Sequence, residues 1–482
     1  MAENTDYAGA INAVIWPGFL GTTVPEWLEA ELRRGLAGVV LFANNIDPGD
    51  PEQLPALCRR IRKLNPHAII GVDEEGGTVT RLEAATGSSV PGAAELGRID
   101  RQDITTDVGA TLGRRAQQAG INLLLAPVAD VNTNPRNPVI GIRSFGSEPD
   151  LVARHTAAMT RGIQSAGVGA CAKHFPGHGD TVTDSHVDLP RVDLGLVELQ
   201  AAHIPPFAAA IEAGTTAIMT AHIVVPELGD LPATLNPKAI GMLRELGFEG
   251  LVITDALDMG AVRHTYGSGE GAVLAMLAGT DLLCVGSPAN DGGTADHEDY
   301  LEVFKALETA LLSGRLPLER LLEAGRRKAA FASWTQEAHD DGGPVGLDAI
   351  PSALQTNGDV RLPDGEVTVI DLRDHINMAA GVMPDVFSAA LAEYRTVQYR
   401  KAVDAGTGIP PSSSVVAIVD RAEEGSAQRA ALAALIQERP DAVCINAGLP
   451  VNLDLPVVNC FGASRPAAAA AASELLGGTG TT

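Results

Sequence analysis

Basic residues are scarce: 35 Lys and Arg stand against 60 Asp and Glu in 482 residues, a formal charge of −25. A surface of that sign repels phosphate backbones and anionic headgroups unless a local basic run overrides it, and no such run occurs. Nucleic acid and membrane are therefore not expected partners. Cysteine is sparse as well. The five, Cys58, Cys171, Cys284, Cys444 and Cys460, are scattered, odd in number and mostly set in apolar runs such as DLLCVG and AVCINAG, which reads as reduced core residues and not as a disulfide framework. No apolar stretch approaches a membrane span. The first residues, MAENTDYAGAINAVIWPGF, lack a basic segment followed by an apolar one, so a cytoplasmic address is the expectation.

What is present suffices for large cores: 45% of residues are hydrophobic and 20% charged, an ordinary balance for a globular chain. The length suggests two domains. Eight short β-branched runs, at 14–19, 38–42, 68–72, 123–127, 170–174, 216–220, 251–255 and 281–285, alternate with helical patterns that end in glycine, such as VPEWLEAELRRG and VELQAAHIPPFAAAIEAG. The unbroken apolar character of LAGVVLF, INLLLAPV and GLVITD is that of strands buried on both faces, as in parallel sheets. Eight such units predict a (β/α)8 barrel over residues 1–336. The polar, glycine-rich HDDGGPVG marks a linker at 337–347. Beyond it EVTVID, SSVVAIVD, DAVCINAG and LPVVNCFG predict a smaller C-terminal α/β sandwich domain over 348–482, closed by a helix through the alanine run of ASRPAAAAAASELLGG.

Barrels of this kind carry their chemistry at the carboxyl ends of the strands. Strand three ends in Asp73-Glu74-Glu75-Gly76-Gly77, with Arg81 just beyond; strand four leads to Asp130 and Arg143; strand five ends at Lys173 and His174, strand six at His222, strand seven at Asp255. Each alone reads as a solvated loop or a salt bridge. Their recurrence at equivalent positions suits a ligand rich in hydroxyls. The densest segment is KHFPGHGDTVTDSHVDLP, residues 173–190. It supports general acid/base work by His186 oriented by Asp184, and equally a divalent metal site drawn from His174, His178, Asp180, Asp184, His186 and Asp188. For His178 a loop-bracing role is preferred. Asp255 closes a buried strand, where a carboxylate is costly unless paired or catalytic.

These segments, with GVDEEGGTVTRL, NPVIGIRSFG and LVITDALDMGAV, resemble glycoside hydrolase family 3, in its bacterial β-N-acetylglucosaminidase branch. The likeness runs over the whole chain and is most specific in KHFPGHGDT..DSH. It implies Asp255 as nucleophile, Asp184 and His186 as a dyad replacing a carboxylic acid/base, and Asp73, Arg81, Arg143, Lys173 and His174 as the groups that hold the sugar. It implies no cofactor and no resident metal. One departure is Thr78, where the family pattern has Arg; the second domain is shorter and more divergent than in two-domain relatives. The activity so implied is retaining release of terminal β-linked GlcNAc through a glycosyl-Asp intermediate, with an oligosaccharide substrate, a monomer or homodimer, and peptidoglycan recycling as one setting. Three alternatives stand beside it: a GlcNAc phosphorylase, a metal-dependent hydrolase, and a non-catalytic sugar-binding protein on the same barrel.

Overall fold

The computed structural model describes residues 7–181, 189–287, 296–337, 352–374, 384–401, 410 and 412–477. Its first eight strands are β1 (Ile15–Pro17), β2 (Gly38–Leu41), β3 (Ile69–Val72), β4 (Leu123–Leu124), β5 (Gly169–Phe175), β6 (Ala217–Thr220), β7 (Leu251–Thr254) and β8 (Leu283–Gly286). Each falls on one of the eight runs seen in the sequence. Strands β2 to β7 form one parallel sheet in sequential order, and β1 pairs in parallel with β8. A bridge between Ile253 and Leu282 joins β7 to the approach of β8, and Ala37 N donates to Asn12 O between the approaches of β2 and β1. The fold is a (β/α)8 barrel followed by an α/β sandwich.

Side-chain alternation explains the apolar runs. Cys171, Ala217, Met219, Leu251 and Ile253 join one buried cluster with Trp16, Val40, Ile69 and Leu123, whereas their neighbours Ala172, Ile218 and Val252 pack with Phe207 and Leu243 of the outer helices. Both faces of every strand are thus buried, and the period-2 signal of a half-exposed strand has nothing to act on. Trp16 reaches across to β3, its Nε1 donating to Ile69 O at 2.9 Å. Gly71 makes room for it: a Cβ there would lie 2.3 Å from the indole.

The C-terminal sheet contains β9 (Gln355–Asn357), β10 (Val367–Asp371), β11 (Val397–Lys401), β12 (Ser414–Val419), β13 (Val443–Asn446) and β14 (Val457–Asn459), in the order β11-β10-β12-β13-β14-β9. All pairs are parallel except β14 with β9. One face packs on helices Val386–Ala392 and Arg465–Leu475, the other on Ala427–Glu438. At the end of β10 the buried Asp371 accepts from Arg373 Nε at 2.8 Å, Tyr399 OH at 2.7 Å and Lys401 Nζ at 2.7 Å. Burial would raise its pKa, but these donors overcome that and hold the carboxyl far below its ordinary value.

By packing, the chain divides into two units: Met1–Glu75, Gln102–Ile140 and Ser147–Gly346 form one, and Gly76–Arg101, Gly141–Gly146 and Leu347–Thr482 the other. The second unit therefore includes the segments that follow β3 and β4. Within it Ser464, the N-cap of the last helix, donates to Glu95 Oε1 at 2.6 Å, Arg465 N donates to Ser88 O at 2.8 Å, and Arg465 Nη2 pairs with Glu83 at 2.8 Å. Burial raises Glu95 to a pKa of about 7 against the Ser464 and Gly92 donors.

Candidate active site

The carboxyl ends of β3, β5 and β7 carry the candidate residues of the first unit. Asp73 follows β3 and Glu75 lies two residues further on, and the two carboxylates converge on one ammonium. Lys173, buried in β5, places Nζ 2.7 Å from Asp73 Oδ1 and 2.7 Å from Glu75 Oε1. An ammonium at 2% exposure is tolerable only with such partners. Glu75 was not singled out as a site residue in the sequence; its signal was the two-residue spacing from Asp73.

The next residue, His174, makes a second buried pair. Its Nδ1 lies 2.7 Å from Asp130 Oδ2. Asp130 Oδ1 accepts in addition from the backbone N–H of His174 at 3.2 Å and of His178 at 2.7 Å. Burial would push the Asp130 carboxyl upward, but the charges and hydrogen bonds of His174 and His178 outweigh it and the pKa is lowered. His178 is fully enclosed, its Nδ1 2.8 Å from Thr181 Oγ1, and burial pushes its pKa down to about 4. It braces the turn 178–181, where Thr181 Oγ1 also donates to His178 O at 3.1 Å.

Asp255 stands directly after β7, half-buried, its backbone N–H donating to Thr220 O and its Oδ1 accepting from Ala256 N at 2.8 Å. Its negative charge is felt at His178 and, together with Asp73 and Lys173, at Cys171 inside the barrel. His222 supports the adjoining backbone: buried at the end of β6, its Nε2 donates to Ala256 O at 2.8 Å. Asp73, Lys173, His174 and Asp255 thus all issue from carboxyl ends of barrel strands.

Arg81 and Arg143 are both buried, Arg143 closing the 3-10 turn Gly141–Arg143, and both belong to segments that pack within the second unit. Asp184 and His186 lie outside the described residues, as does Asp188. Among the described residues no group of three or more His, Cys, Asp or Glu is arranged to hold a metal ion. None of their helices is long and apolar enough to cross a membrane.

Residues 22–329 match the family described as glycosyl hydrolase family 3 N terminal domain. The chain is similar to β-hexosaminidase A of Pseudoalteromonas piscicida, 32% identical over 399 residues that make up 76% of this chain and 65% of that protein. It is 35% identical to a β-hexosaminidase of Stenotrophomonas maltophilia (strain K279a), over 60% of this chain and 85% of that one. In three dimensions it is similar to a glycoside hydrolase family 3 β-N-acetylglucosaminidase from Paenibacillus sp. str. FPU-7, with a TM-score of 0.85 and 29% identity over 98% of this chain and 97% of that chain. Three strand ends that bring carboxylates, an ammonium and an imidazole into one barrel accord with that kinship, and the chain is a glycoside hydrolase belonging to glycosyl hydrolase family 3.

Proposed function

We propose that this enzyme is a retaining exo-β-N-acetylglucosaminidase that releases terminal β-linked GlcNAc. The observation that carries the reading is the Asp73–Lys173–Glu75 cluster beside the Asp130–His174 pair, drawn from β5 and the segments after β3 and β4, in the barrel whose β7 leads into Asp255. Such an array offers fixed donors and acceptors to a ring of hydroxyls, and the relatives' names give the sugar class.

In this reading Asp255 attacks the anomeric carbon and His186 protonates the leaving oxygen, then activates water against the glycosyl-Asp intermediate. An unperturbed imidazole titrates near ~6.5, so both forms are accessible at neutral pH. Asp184 orients the ring. Asp73, Arg81, Arg143, Lys173 and His174 hold the sugar. A cytoplasmic setting is supported by five unpaired, buried cysteines.

The test is incubation with chromogenic β-GlcNAc and β-glucoside, each with and without phosphate and with and without chelator, following the product anomer by proton NMR. The reading expects β-GlcNAc preference, a first-formed β-anomer of free GlcNAc, and indifference to chelator. Inversion at the anomeric carbon, or a preference for the glucoside, would overturn it; GlcNAc-1-phosphate as the main product would instead make the enzyme a phosphorylase.

A further inference from the structure

We infer that Asp130 is a positioning residue that fixes His174 in one tautomer, so that His174 presents an acceptor nitrogen to the sugar; this rests on the reading of His174 as a sugar contact. The Asp130 carboxylate is met by donors from His174 and His178. Oδ1 accepts two backbone N–H groups, those of His174 and His178, and Oδ2 faces His174 Nδ1 at 2.7 Å. A carboxylate in its ionised form can only accept, and the lowered pKa of Asp130 keeps it ionised. The proton between the two side chains therefore belongs to His174 Nδ1. In the neutral imidazole the other nitrogen, Nε2, then carries a lone pair, and no described residue engages it.

The two backbone donors make this arrangement directional. With Asn at position 130, the amide oxygen is the only acceptor that can serve the N–H groups of His174 and His178. Rotating the amide to offer oxygen to His174 Nδ1 instead would set its NH2 against two backbone N–H donors inside a fully buried site. The oxygen stays with the backbone, and the NH2 faces Nδ1. His174 must then accept at Nδ1 and carry its proton on Nε2. One isosteric change reverses the hydrogen-bond sense of His174 toward the ligand while keeping the backbone contacts that hold the turn.

The experiment is Asp130→Asn in the full chain, compared with His174→Ala and with the double variant. Two-bond nitrogen–proton NMR of histidine-labelled protein reads the tautomer, with the His174 signals assigned by their loss in His174→Ala. The expected result is an Nδ1–H tautomer in the parent, an Nε2–H tautomer in Asp130→Asn, and a ~10-fold loss of kcat/KM on chromogenic β-GlcNAc, carried mainly by KM. The Asp130 substitution should cost little more once His174 is alanine. A structural role alone would lower the melting temperature and leave the tautomer as it was. If Asp130→Asn does not fold, the parent spectrum decides, because an Nε2–H tautomer in the unsubstituted protein refutes the inference. An unchanged tautomer in Asp130→Asn also refutes it, and if His174→Ala is still impaired the sugar-contact reading survives. A reversed tautomer with kinetics unchanged in both single variants overturns the two together.

Discussion

Removing the Asp281 carboxylate should destabilise the barrel without touching its chemistry. Asp281 lies at the amino-terminal end of β8, fully buried, and gathers three guanidinium groups: Arg244 Nη2 at 2.7 Å from Oδ2, with Arg320 Nη2 at 2.5 Å and Arg327 Nη1 at 3.1 Å from Oδ1. Oδ2 also accepts from Val252 N at 3.0 Å, which ties the cluster to β7. Asp281→Ala leaves three like charges where their shared acceptor stood, with Glu323 the remaining carboxylate beside Arg320 and Arg327. Breaking a buried pair costs about 3–5 kcal/mol, and the lower end applies because the arginine side chains are 12–25% exposed and reach water. At roughly 2–4 °C per kcal/mol for a domain of this size, the melting temperature should fall by on the order of 10 °C. Asp281→Asn, which keeps an acceptor for Val252, should lose about half as much. The assay is calorimetry at a fixed scan rate, paired with kcat at 25 °C, which should stay near the parent value because stability and chemistry occupy opposite ends of such a barrel. An alanine variant melting within ~2 °C of the parent, or one with intact melting and lost turnover, would refute the reasoning.

Asp255→Asn should abolish turnover on all β-GlcNAc substrates, whereas His186→Ala should retain the first step on substrates with good leaving groups; burst kinetics separate the two, and equal losses on both substrate classes would contradict the assigned roles. Glu95 titrates near 7 when folded and 4.5 when free, so between those values the folded chain holds a proton the unfolded chain has released. Stability from this group therefore falls as pH rises from about 4.5 to about 7, by on the order of 3 kcal/mol, and Glu95→Gln should gain on the parent toward pH 8 in melting experiments; parallel curves would exclude it. His178 works in the opposite sense: its folded pKa of about 4 lies below the ordinary 6.5, so its contribution is complete above 6.5 and is lost as pH falls toward 4. Gly71→Ala should cost ~1–3 kcal/mol and shift tryptophan emission, since the new methyl group would overlap the Trp16 ring; an unperturbed spectrum and melting point would show that the ring can yield.

Much of the barrel was legible because its strands are enclosed on both sides: LVIT of β7 is buried at every position and shows as an uninterrupted apolar run. The C-terminal edges were not. Gln355–Asn357 is exposed throughout, and Val397–Lys401 has no fully buried position and only Val397 packed on the core, so neither carries an apolar run. They are strands because a neighbour offers them a ladder, which no local window reveals. At the site, Asp73, Lys173 and Asp255 could be read from their places at strand ends. The contacts of Asp130 could not, because its partners lie 44 and 48 residues away and are in part backbone N–H groups.

The second packing unit takes in segments 76–101 and 141–146 from the amino-terminal half of the chain. Order along the chain and order of assembly therefore differ: translation delivers Glu83, Ser88 and Glu95 some 370 to 380 residues before the Arg465 and Ser464 that complete their bonds. A gene cut near codon 337 would separate no self-sufficient module, because it divides one packing unit, with its buried Ser464–Glu95 bond, between two polypeptides. Fragments made that way should recover their native form when mixed and not singly, and any shuffling of this C-terminal part onto another barrel must carry both early segments with it.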